Sequence, residues 1–161
     1  KRSYAEMNEV VDKAWATRQP NLPIKNKGEL LTLASIVEKE TGVASERPEI
    51  AGVFVRRLQK GMRLQTDPTV IYGLGDQYRG VIYKSDLQRD TPYNTYTRDG
   101  LPPTPIAMPS REAIYAAANP KPGKTLYFVA KGDGSGEHLF SETLDQHNRA
   151  VKQYRDRMRG K

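Results

Sequence analysis

A chain of 161 residues, 37% hydrophobic and 28% charged, can bury a core without disulfides; having no cysteine it excludes a thiol nucleophile, and with only His138 and His147 a zinc site would need mostly carboxylate ligands. Its formal charge of +7, from 26 basic and 19 acidic residues, favours an anionic partner, but outside residues 155–161 the charge is dispersed among acids. No run approaches the roughly 18 apolar residues that span a bilayer, and Lys1-Arg2-Ser3-Tyr4 does not begin a signal peptide; a start without Met, within helix-like sequence, leaves room for an upstream targeting segment or anchor.

Met7, Val10, Val11, Ala14 and Trp15 recur at helical spacing and predict an amphipathic helix over Tyr4 to Arg18, broken by Pro20-Asn21-Leu22-Pro23. A second helix is expected from about Lys27 to Thr41 with Gly42 as its stop, and a third from Pro48 to Lys60 with Gly61 ending it. Asp67-Pro68 looks like a helix start, with Asp67 as N-cap, leading to Gly73. Pro92, Pro102, Pro103, Pro105 and Pro109 make continuous helix impossible between Thr91 and Pro109, and so long a loop is usually functional. Ser110 caps a short helix. Residues 125–130 and 137–140 then flank Gly132-Asp133-Gly134-Ser135-Gly136 as a β-hairpin, and a last helix runs from about Leu144 to Arg157. The fold class is therefore α+β, mainly helical with small extended elements, in one domain over residues 1–161.

With thiol and metal chemistry poorly supplied, carboxylate acid/base chemistry remains, and Glu38 and Glu40 at the end of an apolar helix are its best candidates. At about 100° per residue, Glu40 lies roughly 70° and Glu38 roughly 90° from the centre of the apolar face of Leu30, Leu31, Leu33, Ala34, Ile36 and Val37, on opposite flanks. The two diverge, so they do not form one carboxylate pair, and helix position alone leaves the choice between them close to a tie. Apolar surroundings and the helix C-terminal dipole both oppose ionisation of Glu40, as a general acid requires; two solvated helix-end acids bridged by Lys39 is the bland alternative. The glycine-rich turn lacks the Lys-Ser/Thr ending of a phosphate loop, which rejects nucleotide binding there, and His138 after it reads as a hairpin side chain with a satisfied hydrogen bond.

Glu38-Lys39-Glu40-Thr41, Ala44-Ser45-Glu46-Arg47, the block from Gly61 to Gly73, Tyr93-Asn94-Thr95-Tyr96 and Gly100-Leu101-Pro102-Pro103 together resemble the YceG-like endolytic murein transglycosylases, in the same order. That resemblance implies a lysozyme-like catalytic domain, preceded in the family by a LysM-like module and a single inner-membrane anchor, neither visible here. It also breaks the near-tie: lytic transglycosylases carry a catalytic Glu followed by Ser or Thr, which fits Glu40-Thr41 and not Glu38-Lys39. Glu40 would then be the acid/base and Glu38 and Thr41 its supports, with Gln65, Thr66, Asp67, Tyr93, Asn94 and Tyr96 offered to the sugars. The bland readings are a plain N-cap for Asp67 and loop packing for the tyrosines.

The implied reaction cleaves the N-acetylmuramic acid to N-acetylglucosamine linkage with formation of 1,6-anhydromuramoyl ends, which limits glycan length. One acid/base suffices, in keeping with a sequence that offers no obvious second carboxylate at the site. The resemblance further implies peptidoglycan strands as partner at the periplasmic face of the inner membrane, near penicillin-binding proteins, with no metal, no cofactor and no nucleic acid. Its rivals are a non-catalytic binder of anionic polymer or glycan, which the net charge and the tyrosines would serve, and a muramidase that uses water.

Overall fold

The computed structural model describes residues 4–160, and for Tyr4 the backbone only. Helix α1 (Tyr4–Ala16) buries the predicted stripe of Met7, Val10, Val11 and Ala14. It packs against α2 (Lys27–Glu40) and α6 (Arg111–Ala118). Asn26 caps α2 by accepting from the Glu29 N–H at 2.9 Å.

α2 is the axis of the core rather than a surface helix with one apolar stripe. Thr32, Ser35, Leu30, Leu33, Ala34, Ile36 and Val37 are all buried, covered by α1, α6 and α3 (Arg47–Lys60). Its two buried hydroxyls are satisfied: Thr32 Oγ1 donates to the Gly28 carbonyl at 3.0 Å, and Ser35 Oγ donates to the Thr32 carbonyl at 2.7 Å. Ser35 Oγ also accepts from the Ile106 N–H at 3.0 Å, which pins the proline-rich loop to the core.

The end of α2 differs from expectation. The helix stops at Glu40, and Thr41, not Gly42, makes the exit, taking an extended backbone at φ −142° and ψ 140°. The Thr41 hydroxyl accepts from the Val43 N–H at 3.0 Å, so the turn is built by a side chain and no left-handed glycine is needed. A 3-10 turn at Ala44–Glu46 leads into α3, whose end at Gly61 is the left-handed cap expected, with φ 71°. Gly52 on α3 has no room for a side chain: a Cβ would stand 2.6 Å from the Lys121 carbonyl. Gly52→Ala is therefore expected to destabilise by about 1–3 kcal/mol through overpacking, read from the urea midpoint.

α4 (Asp67–Leu74) begins one residue earlier than the sequence suggests: Thr66 is the N-cap, and Asp67 is the first helical residue, ahead of Pro68. A short α5 (Lys84–Gln88) has no counterpart in the sequence reading, since five residues are too few to show a period. Residues 91–109 form turns and extended chain, and Ser110 caps α6 by accepting from the Ala113 N–H. Strands β1 (Tyr127–Ala130) and β2 (His138–Ser141) pair antiparallel, with Tyr127 opposite Ser141 and Ala130 opposite His138. The long α7 (Leu144–Arg159) lies on this hairpin behind a Thr143–Gln146 capping box. The α+β class is as read from the sequence. Among the described residues, no helix is long and apolar enough to cross a membrane.

Two arginines on α3 hold the hairpin to the helical core. Arg56 donates to the Thr125 carbonyl and hydroxyl, each at 2.7 Å, and Arg57 donates to the Leu126 carbonyl at 2.7 Å. Phe54 completes the joint by meeting Phe128 edge-on, at 5.7 Å between ring centroids.

Candidate active site

The end of α2, the start of α4, α3, the hairpin and α7 enclose a cleft of about 510 Å3, lined among others by Glu40, Gln65, Asp67, Tyr96, Arg57 and His138. Glu40 enters it because the buried part of α2 ends at Val37, and the last turn carries the next side chains to opposite flanks. Its Oε2 accepts from the Thr66 hydroxyl at 2.7 Å. Burial pushes the Glu40 carboxyl up from 4.5 to about 7; the Thr66 hydrogen bond and His138 draw it down, and the Asp67 charge adds to the rise. The carboxyl thus keeps its proton far closer to neutral pH than an ordinary glutamate does, as a group that both gives and takes a proton should. Thr66→Val is expected to move the Glu40 titration upward and Asp67→Asn to move it downward, read by carboxyl carbon NMR.

Glu38 is absent from the cleft. Its Oε1 accepts from the Ser110 N–H at 2.8 Å, tying α2 to the start of α6. Burial alone would raise its carboxyl, but the Ser110 hydrogen bonds with Arg47 and Lys39 outweigh this and hold it below the ordinary value. Geometry therefore divides what helix position left undecided: one glutamate serves a helix junction and the other lines the cleft.

The other predicted residues separate in the same way. Gln65 lines the cleft, exposed, with a left-handed backbone at φ 52° that a non-glycine residue adopts only at a cost. Thr66 is 1% exposed, so it serves Glu40 rather than a ligand. Asp67 accepts from the Tyr96 hydroxyl at 2.6 Å, a bond which, with burial, keeps that phenol protonated far above its ordinary range. A second carboxylate therefore does stand in the cleft, contrary to the sequence reading. It is not an N-cap.

Asn94 and Tyr93 do not line the cleft that holds Glu40, contrary to expectation. Asn94 is 1% exposed; its amide donates to the Leu87 and Arg89 carbonyls, and its oxygen accepts from the Tyr96 N–H. It shapes the loop and has nothing left for a sugar. Tyr93 lies outside the cleft, against Tyr72 at 4.7 Å, and shares a hydrogen bond with the Thr104 hydroxyl. Thr41 is buried and donates to Glu46 Oε1 at 3.2 Å.

That bond opens onto residues the sequence reading missed. Glu46 takes the His138 N–H on Oε2 at 2.7 Å, and its Oε1 lies 2.8 Å from His138 Nδ1. With Glu46 as a carboxylate, Nδ1 carries the ring proton and Nε2 is the nitrogen left over, on a residue that lines the cleft near Glu40. The expected satisfied hydrogen bond of His138 is present, and the ring belongs to the site as well. Thr69 and Thr95 were also missed; their hydroxyls lie 2.9 Å apart, Thr69 donates to the Thr66 carbonyl at 2.8 Å, and Thr95 Oγ1 accepts from the Thr66 N–H at 3.0 Å. Together they hold Thr66 under Glu40. The signal available for them was the blocks in which they stand, Gln65 to Thr69 and Tyr93 to Tyr96.

A family model described as the YceG-like family matches residues 1–153. The chain is 47% identical over 125 residues to an endolytic murein transglycosylase of Bacillus subtilis, covering 78% of this chain and 34% of that protein. It is 35% identical over 155 residues to an endolytic murein transglycosylase of Streptococcus pneumoniae, covering 92% of this chain and 28% of that one. The chain thus spans about a third of the length of the curated relatives it matches. The crystal structure of a yceG-like protein from Listeria monocytogenes superposes with a TM-score of 0.73 at 39% identity, over 90% of this chain and 44% of that one.

Proposed function

The chain belongs to the YceG-like family, and from that membership and the chemistry of the cleft we propose that it is a peptidoglycan lytic transglycosylase that cuts within glycan strands with Glu40 as its single acid/base. The observation that carries this reading is a carboxyl held at about 7 in a cleft able to take part of a sugar chain. Protonated Glu40 gives its proton to the oxygen linking N-acetylmuramic acid to N-acetylglucosamine, and that bond breaks. The resulting carboxylate takes the proton of the muramic acid 6-hydroxyl as that oxygen bonds to the anomeric carbon. A 1,6-anhydromuramoyl end and a free N-acetylglucosamine end result, no water is consumed, and Glu40 is protonated again. Thr66 steadies the carboxylate between the two transfers, while Gln65, Asp67 and Tyr96 meet the sugar hydroxyls.

Cuts in the interior of a strand shorten it, so the activity limits glycan length. The enzyme works at the periplasmic face of the membrane beside the synthases that extend the strand. Because the acid must begin protonated, the rate is expected to fall as pH rises through about 7. A pH–rate profile of solubilised strands checks this.

One observation favours a second reading. Asp67 places a second carboxylate in the cleft, and a muramidase would use it to activate water. Mass spectrometry of the fragments released from purified peptidoglycan by wild type and by Glu40→Gln separates the possibilities. Anhydro ends from wild type alone support the transglycosylase. Ends carrying one more water mean hydrolysis. Binding without any Glu40-dependent product leaves only a glycan or polyanion binder.

A further inference from the structure

The cleft that holds Glu40 also holds a charge for which the proposed acid/base cycle has no use. Arg57 is 7% exposed, and the ionisable groups that interact with it are Tyr127, Tyr96 and His147, with no acidic side chain among them. Tyr96 feels both Glu40 and Arg57, so the acid and the guanidinium act on one phenol of the same cleft. A guanidinium withdrawn this far from water is ordinarily paired with a carboxylate.

Here Nε donates to the Leu126 carbonyl and Nη1 to the Arg63 carbonyl, each at 2.7 Å, and the guanidinium carbon stands 5.0 Å from the Tyr127 ring centre. Carbonyl dipoles and a ring face soften a positive charge without cancelling it. The third nitrogen, Nη2, has no partner among the described residues and keeps some contact with solvent, on a residue that lines the cleft.

We infer that Arg57 Nη2, framed by Tyr96 and Tyr127, is a subsite for a carboxylate carried on the muramic acid residues of the strand, either the lactyl carboxylate or one on the stem peptide attached there. This rests on the glycan substrate proposed above. Two of the three guanidinium nitrogens are committed to the backbone, so one edge is left, enough for a carboxylate and too little for the several donors that a phosphate clamp uses. The consequence is register. A strand alternates two sugars, and of the two only the muramic acid bears this acid, so capture of its carboxylate decides which of the two alternating linkages lies under Glu40.

The test is a binding measurement on the chain itself, with three probes: N-acetylmuramic acid, whose lactyl carboxylate is free; N-acetylmuramoyl dipeptide, whose lactyl group is an amide and whose acids lie on the peptide; and N-acetylglucosamine, which has no carboxylate. Resonances of Tyr127 and of His147, whose rings stack at 5.0 Å and line this end of the cleft, report occupancy by NMR. At least one acidic probe is expected to bind about 10-fold to 100-fold more tightly than N-acetylglucosamine, the range of a charge-assisted hydrogen bond. Which of the two acids does so identifies the source. Arg57→Gln is expected to abolish the preference.

N-acetylglucosamine binding as well as both acids, or a folded Arg57→Gln that keeps the preference, overturns the subsite. Should Arg57→Gln not fold, the probe comparison on the wild type alone still decides. Failure of the cleavage reading looks different: the probes discriminate, yet no Glu40-dependent product forms from strands.

Discussion

Glu40→Gln is expected to lower strand cleavage by about 10²- to 10⁴-fold while leaving the fold intact, since the amide keeps the shape of the carboxyl and can still accept from Thr66 but has no proton to give. The same substitution is expected to raise stability. The folded carboxyl, raised to about 7 from 4.5, binds its proton more tightly than the unfolded one. Folding therefore loses free energy as pH climbs from about 4.5 to about 7, reaching on the order of 3 kcal/mol above that window. Gln escapes this loss, so the gain in melting temperature is expected to be clear at pH 8 and small at pH 4. Thermal denaturation at both values, beside fragment release from peptidoglycan, checks the pair of effects. A variant that lost activity but was equally destabilised at both pH values would mean that Glu40 is a structural acid.

The largest loss of stability among the changes considered is expected for Phe54→Ala, about 3–5 kcal/mol. Phe54 is buried in the core and carries the edge-to-face contact with Phe128, so its removal leaves a cavity at the joint between helices and hairpin. Phe128 lines the cleft, and strand cleavage should fall along with the urea midpoint. A loss under about 1 kcal/mol would mean that the hairpin does not depend on this wedge.

The helices were legible where the sequence carries a period or a cap: Met7 to Trp15, Ser110 before α6, Gly61 after α3. They were misread where a side chain replaced the usual signal, as at Thr41, whose hydroxyl builds the turn assigned to Gly42. Asp67 shows the same limit. A preference for Asp at the N-cap cannot reveal that Thr66 takes that position and spends its hydroxyl on Glu40.

The candidate site was half visible. Helical angles put Glu38 and Glu40 on different flanks, but which flank meets a cleft depends on α6 and the hairpin, far along the chain. Asn94 and Tyr96 stand two residues apart, one enclosed by the backbone of residues 87–89 and the other in the cleft, a division only the folded loop decides. Arg57 and His138 were missed as site residues because each is claimed by a partner distant in sequence, the Leu126 carbonyl and Glu46.

Those long-range ties set an order of events as the chain folds. The bonds from Arg56 and Arg57 to the hairpin join residues 69 apart, and the bond from the His138 N–H to Glu46 spans 92. Closing loops of that length costs more entropy than winding α2 or α3, so the hairpin wall of the cleft is expected to dock after the helices have met. During synthesis, too, residue 40 leaves the ribosome long before residues 126–138. The acid is made early and remains without its cleft until residues 126–138 arrive, so a polypeptide halted midway has a glutamate of ordinary acidity and no place to hold a strand.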